Sequence, residues 1–218
     1  MTTPNVTERR PAHEESFSEW VMAHQRELTW AVVALAVIVA GVWYYERSQS
    51  IKAQRAETAY FQARQSAASG NLPLAVSDLQ KVVTRYEGTQ AGTQAALSLA
   101  QALYQQKKVK EGVDVLKKAE SSASDDFKPS IHSLQAAGYE ELKDLTAAAE
   151  QYKLAAQATR FPAEKIEFRA SAARTYMAAG KTAKAKAIWT ELAKDDTGPA
   201  AAEAKVRLGE LDAKPMKS

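Results

Sequence analysis

Two hydrophobic patterns divide the chain. From Leu28 to Tyr45, eighteen residues pass without a charge, with Glu27 and Glu46 closing the window on either side. Beyond residue 55 the pattern turns periodic. A small residue is followed twelve positions later by another, and four positions after that by a large apolar one. This occurs four times: Ala63/Ala75/Leu79, Ala100/Gly112/Leu116, Ala136/Ala148/Tyr152 and Ala173/Ala185/Trp189. The second members lie 37, 36 and 37 residues apart. A period of this size predicts helical hairpins stacked into a solenoid, because one hairpin alone cannot bury its apolar face. Small residues let two helices joined by a short turn approach, and the large residue one turn later fills the space against the next hairpin.

The breakers agree with this period. Gly70-Asn71, Lys107-Lys108, Lys143-Asp144 and Gly180-Lys181 read as the turns within hairpins, with Pro73 placed where a helix start tolerates it. Gly88, Ser121 to Asp126 with Pro129, Phe161-Pro162 and Gly198-Pro199 read as the junctions between them. A final helix over 199–212, with Ala202, Val206, Leu208 and Leu211, is expected to cover the last hairpin.

The uncharged run reads as one membrane span. At ~1.5 Å per residue it covers roughly 27 Å, close to the thickness of a bilayer core. Trp30 near one end and Trp43, Tyr44 and Tyr45 at the other suit the two interfaces, and Trp20 lies on an amphipathic patch with Phe17, Val21, His24 and Leu28. A soluble core helix of this length carries a polar stripe, which is absent here. A cleaved signal peptide is disfavoured by the 27 preceding residues, which hold five acids against three arginines. Between Gly41 and Gly70 there is neither Gly nor Pro, so the span is expected to continue as helix into the first repeat. The expected layout is a tail over 1–27, a transmembrane helix over 28–45, a helical stalk over 46–55, a repeat domain over 56–212 and a flexible tail over 213–218.

Charge and chemistry change this picture little. The chain has 29 Lys and Arg against 26 Asp and Glu, a net charge of +3, interleaved rather than clustered, so nucleic acid is not an expected partner. Three basic residues before the span (Arg9, Arg10, Arg26) face four after it (Arg47, Lys52, Arg55, Arg64), which does not decide orientation. There is no cysteine, hence no disulfide or thiolate site. His13, His24 and His132 have no ligand-like spacing, and no phosphate loop, HExxH or nucleophile elbow occurs. No catalytic residue, metal site or cofactor is expected.

The array resembles the tetratricopeptide repeat, with Ala75, Gly112, Ala148 and Ala185 at the signature alanine of the second helix. It departs from that family in its longer period and in Ala59, Ala96, His132 and Arg169 at the aromatic fourth position. The resemblance implies that the first helix of each hairpin lines a concave binding face. Its positions here are Tyr60, Arg64, Gln101, Tyr104, Glu140, Arg174 and Met177, which suit an extended peptide segment. The whole layout is similar to the bacterial YfgM-like family of ancillary Sec translocon subunits. The shared features are the Phe17/Trp20 patch, the Trp43-Tyr44-Tyr45 exit, the Ala59-Tyr60 start of the array and the Gly180…Ala185…Trp189 unit. That similarity implies a single-pass inner-membrane protein with its N-terminus inside and its repeats in the periplasm, contacting the translocon and chaperones. The alternative is an accessory subunit of another bacterial inner-membrane complex. The fold class expected is all-α: a transmembrane helix continuing into a tetratricopeptide-like solenoid of four hairpins plus a capping helix.

Overall fold

The computed structural model describes residues 20–22, 24–194 and 198–213. Expectations for the tail before Trp20, Phe17 included, and for most of the last six residues lie outside that set. No strand occurs among the described residues. The chain forms two compact units, Met1–Ile51 and Lys52–Ser218.

Helix α1, Gln25–Ala68, runs for 44 residues without a break. It contains both the uncharged run and the first repeat helix, as the lack of Gly and Pro after Gly41 predicted. Every residue from Thr29 to Tyr45 is exposed. The most apolar window of α1 has mean hydropathy 1.9 and none of it is buried. The protein's own fold therefore does not cover this surface, which argues against a soluble core helix. Of the aromatic positions singled out, Trp20, Trp30, Trp43, Tyr44 and Tyr45 are all exposed. The Trp20 ring stacks on His24 at 4.9 Å, and the His24 Nδ1 bonds the Trp20 carbonyl at 2.9 Å.

The second unit is built of hairpins. The last turns of α1 pair with α2 (Leu72–Arg85), α3 (Gln90–Gln105) with α4 (Val109–Glu120), α5 (Lys128–Glu141) with α6 (Leu145–Ala158), and α7 (Pro162–Ala178) with α8 (Thr182–Leu192). Helix α9, Pro199–Asp212, follows. All eight small positions of the repeat are buried, as are Leu79, Leu116 and Trp189. Tyr152 is half-buried because its hydroxyl reaches out to the Glu140 carboxylate at 3.3 Å.

The four turns within hairpins share one device. Gly70, Lys107, Lys143 and Gly180 have φ of 76, 62, 63 and 68°, the left-handed conformation that ends a helix. In three of them the next residue's N–H reaches back five residues: Lys108 to Leu103 O, Asp144 to Tyr139 O and Lys181 to Tyr176 O. Asn71 and Asp144 also cap the following helix through their side chains, at 3.1 and 3.0 Å. Lys108 and Lys181 do not.

The covering helix α9 differs from expectation in its face. Ala201 and Ala204 are buried, Leu208 and Leu211 pack beside them, and Ala202 and Val206 point to solvent. The apolar stripe is 201, 204, 208 and 211, one residue out of phase with Ala202 and Val206. Both stripes look alike in so alanine-rich a helix, and contact with Trp189 and Leu192 selects between them.

Candidate interaction surface

The seven residues expected on the binding face do not behave as one set. Four are engaged in holding one repeat to the next. The Tyr60 hydroxyl shares a 2.9 Å hydrogen bond with Ser98 Oγ, joining α1 to α3. The Tyr104 hydroxyl donates to the Leu134 carbonyl at 3.1 Å, joining α3 to α5. Glu140 accepts from Thr175 Oγ1 at 3.0 Å, joining α5 to α7. Arg174 forks onto both oxygens of Glu203 at 2.9 and 2.8 Å, joining α7 to α9, and also meets Glu167 at 3.0 Å.

Tyr104 is a correction to the sequence-based set. It is 8% exposed, so its ring is closed to a partner. The reason is local: a Cβ at Gly112 would sit 2.5 Å from the ring's Cε1, and one at Gly138 would meet its hydroxyl. Two glycines leave the space that the tyrosine fills, and burial raises its pKa above the ordinary phenol value. Met177 is half-buried, its sulfur accepting from Trp189 Nε1 at 3.2 Å. Arg64 is exposed, with its guanidinium 5.9 Å from the Tyr60 ring centre. Gln101 is exposed and makes no side-chain hydrogen bond within the described residues.

A hub that the sequence reading missed lies at Glu150 on α6. Its carboxylate accepts from Lys184 at 2.7 Å, from the Tyr176 hydroxyl, and from Lys153 at 2.9 Å. These partners, Lys184 first, hold its pKa at about 2. Tyr152, by contrast, is pushed up to about 12, by burial first and then by the Glu140 charge. Neither hub leaves an idle acid or base. Lys153 lies on α6 itself, but Tyr176 on α7 and Lys184 on α8 are 26 and 34 residues away, so no local motif announces them.

Most polar groups elsewhere are also bonded, with one buried exception among the described residues. His132 is buried, its Nδ1 bonded to Gln151 Oε1 at 2.9 Å and its Nε2 3.8 Å from Glu120. Gln135 donates to Glu120 at 3.1 Å, while its buried Oε1 has no partner. A cleft of about 320 Å³ beside Phe161 is lined by Asp125, Asp126, Arg160 and Glu164. Each of its acids is already bonded: Asp125 to Lys128, Asp126 to Arg160 and Glu164 to Thr159. A second cleft of about 370 Å³ lies between α7, α8 and α9 and is lined mainly by Ile166, Leu192, Pro199 and alanines. Among the described residues no three His, Cys, Asp or Glu side chains converge to hold a metal ion.

Comparison with known proteins follows the same lines. The sequence profile of the tetratricopeptide repeat-like domain matches residues 18–213. Among solved structures, the tetratricopeptide-like repeats of a putative kinesin light chain from Podosopora anserina superpose with TM-score 0.54 at 16% identity. That match covers 72% of this chain and 85% of the other. A tetratricopeptide repeat protein from Parabacteroides merdae superposes with TM-score 0.56 at 16% identity, covering 72% of this chain and 60% of that one. At these identities the likeness is one of fold. No curated protein sequence matches the chain.

Proposed function

The chain belongs to the tetratricopeptide repeat-like domain family, and from that premise we propose that it is a membrane-anchored scaffold for protein–protein interaction. Repeat folds of this kind present helix faces to protein partners rather than enclosing a reaction. The observation that carries the membrane half of the reading is the exposure of Thr29–Tyr45. Val32, Leu35, Val37, Ile38 and Val39 are each about 60% or more exposed, a continuous apolar surface larger than a water-soluble protein tolerates. Lipid is the solvent that suits it, with Trp30 at one interface and Trp43, Tyr44 and Tyr45 at the other.

In our reading the protein is an ancillary subunit of the Sec translocon in a bacterial inner membrane. Its N-terminus is cytoplasmic, and its repeats lie in the periplasm, where they meet chaperones and emerging chains. The layout of tail, span and repeats supports this. The test is purification of the full chain from membranes in a mild detergent. The translocon should accompany it; recovery of the intact anchor without translocon subunits would sink the assignment while leaving the scaffold. A reporter fused after Ser218 checks orientation, and activity of a periplasm-dependent reporter is the expected result.

A further inference from the structure

The two ends of the array are finished differently. At the first end, Gln54, Thr58 and Gln62 of α1 are exposed. One 37-residue period on, Ala91, Ala95 and Leu99 are buried, and the last two share a cluster with Leu79 and Val82 of the preceding hairpin. The first helix thus carries polar side chains where α3 carries apolar ones, with Phe61 the one large apolar side chain among them. A polar outer face of this kind closes a solenoid to further stacking. The last helix lacks it. Pro199, Ala202, Val206, Gly209 and Ala213 are all exposed, on the side of α9 turned away from the buried Ala201 and Ala204. Gly209 is a second, separate observation. Glycine weakens a helix relative to alanine. Gly92, Gly112 and Gly138 each have a reason inside the chain, because a Cβ there would lie 2.2, 2.5 and 2.3 Å from a neighbouring atom. A Cβ on Gly209 would meet nothing within 4 Å, so nothing in the described chain requires a glycine there.

We propose that this outer face of α9 pairs with the same face of a second copy of the chain, as a parallel seam about a two-fold axis. The proposal goes beyond the scaffold reading and takes from it only the membrane anchor. Positions 199, 202, 206, 209 and 213 fall at the a and d places of successive heptads, the pattern by which one helix seats on another. Two-fold pairing sets Val206 against its own counterpart, and Ala202 and Gly209 let the backbones approach around it. Charge selects the occupant and its direction. Lys205 and Asp212 flank the seam on one side, Glu203 and Glu210 on the other. In a parallel pair opposite flanks meet, and Lys205 of each copy falls beside Glu210 of the other, five places on. An antiparallel pair would set Glu203 against Glu210 twice, which like charges oppose. Glu210 already holds Arg207 at 2.9 Å, and a carboxylate has lone pairs left for a second cation. The helix has 14 residues, about 21 Å, so the seam buries well under the ~1,200 Å² of a stand-alone complex. Pairing therefore needs the high local concentration that anchoring both copies in one bilayer supplies.

The test uses the absence of cysteine from the chain. Ala202→Cys, Val206→Cys and Gly209→Cys are made singly in the full chain, reconstituted in lipid vesicles and treated with a mild oxidant. In a parallel seam each position meets its own counterpart within disulfide reach, so all three should give a covalent dimer. Ser77→Cys, exposed on α2, should give little or none. Adding Lys205→Glu to Ala202→Cys should lower the yield severalfold, and adding Glu210→Lys as well should restore it. Val206→Glu, at a side chain 61% exposed, should abolish the Ala202→Cys dimer while leaving the far-UV circular dichroism unchanged. No dimer from the three α9 positions, an equal dimer from Ser77→Cys, or a yield unmoved by Lys205→Glu would each overturn the proposal. So would a dimer formed only when Val206→Cys is mixed with Phe61→Cys, which is head-to-tail stacking. Flotation of the vesicles reads the anchor separately. A chain that floats without crosslinking sinks the pairing and leaves the membrane reading; one that crosslinks without floating does the reverse.

Discussion

Helices α3 and α7 hold equivalent places, each the first helix of its hairpin, yet they are joined to their neighbours by different chemistry. Each carries a buried tyrosine in its last turn, Tyr104 or Tyr176, one position apart in the repeat register. Tyr104 gives its proton to a backbone carbonyl, at Leu134. Tyr176 gives its proton to the carboxylate of Glu150, which Lys184 and Lys153 also hold. Around α7 lie further charge pairs: Arg174 with Glu167 and Glu203, and Arg207 with Glu203 and Glu210. Among the described residues, the lysines of the second hairpin make only long, exposed ion pairs, Lys107 with Glu141, Lys117 with Asp114 and Lys118 with Glu87 at 3.9 Å. That hairpin leans mainly on shape, whereas the fourth combines shape with close ion pairs. Helix α3, with no charged residue of its own, takes no part in an ion pair.

The largest effect should come from disturbing the shape of the second hairpin. At Gly112 an alanine Cβ would press on the Tyr104 ring, whereas Ala148 and Ala185 are accommodated at the matching sites. Gly112→Ala should cost about 1–3 kcal/mol, an overpacking penalty, seen as earlier melting of the full chain in detergent by far-UV circular dichroism. Unchanged melting would mean that Tyr104 is not held as tightly as its glycine seat implies.

Acid should act on the other side of the comparison. The folded pKa of Glu150 is about 2 against an ordinary 4.5. A carboxylate lowered in this way contributes stability above its unfolded pKa and loses it as pH falls from about 4.5 toward 2. The group is 41% exposed, so after solvent screening the loss is about 1 kcal/mol. Glu203, lowered chiefly by Arg174, acts in the same sense. Hydrogen exchange should rise in α7 and α8 before α3 as the solution is acidified, and Glu150→Gln should remove most of the difference. Simultaneous loosening of both hairpins would erase the distinction drawn here.

A smaller change of opposite sign is expected at the turns. Lys107 occupies the left-handed position that Gly180 fills in the fourth hairpin. Lys107→Gly relieves a side-chain clash and should stabilise by roughly 0.5–1 kcal/mol, and Lys143→Gly should behave alike. The same melting experiment reads both. The least effect on stability, within about 0.5 kcal/mol, belongs to the four glutamines of α3, Gln90, Gln94, Gln101 and Gln105, replaced by alanine, whose side chains make no hydrogen bond among the described residues. A larger loss would show that they serve the fold.

These differences mark where the sequence could be read and where it could not. Ala63, Ala75, Ala100, Gly112, Ala136, Ala148, Ala173 and Ala185 announced the hairpin crossings, because close approach demands small residues at fixed spacing. The turns were legible for a similar reason, and even Lys107 and Lys143 fell at the right period. The seven positions expected on a binding face were chosen by helix side alone, and which of them are engaged within the fold was not legible. Whether Glu140 or Arg174 was free depended on Thr175 and Glu203, 35 and 29 residues away, and such partners leave no local trace. Tyr104 was misplaced because its pocket is made by Gly112 and Gly138, one of which lies on the next hairpin. The phase of α9 escaped because Val206, its first large apolar residue, turns to solvent, and the alanines before it mark no side.

The most direct test of the account is photocrosslinking from the repeat array in native membranes. A photoreactive residue is placed at Gln101 on α3 in one version of the full chain and at Lys117 on α4 in another. The account predicts an adduct with one defined polypeptide from position 101, on the first helix of its hairpin, and none from position 117. An adduct from position 117 alone, or none from either position, would contradict it.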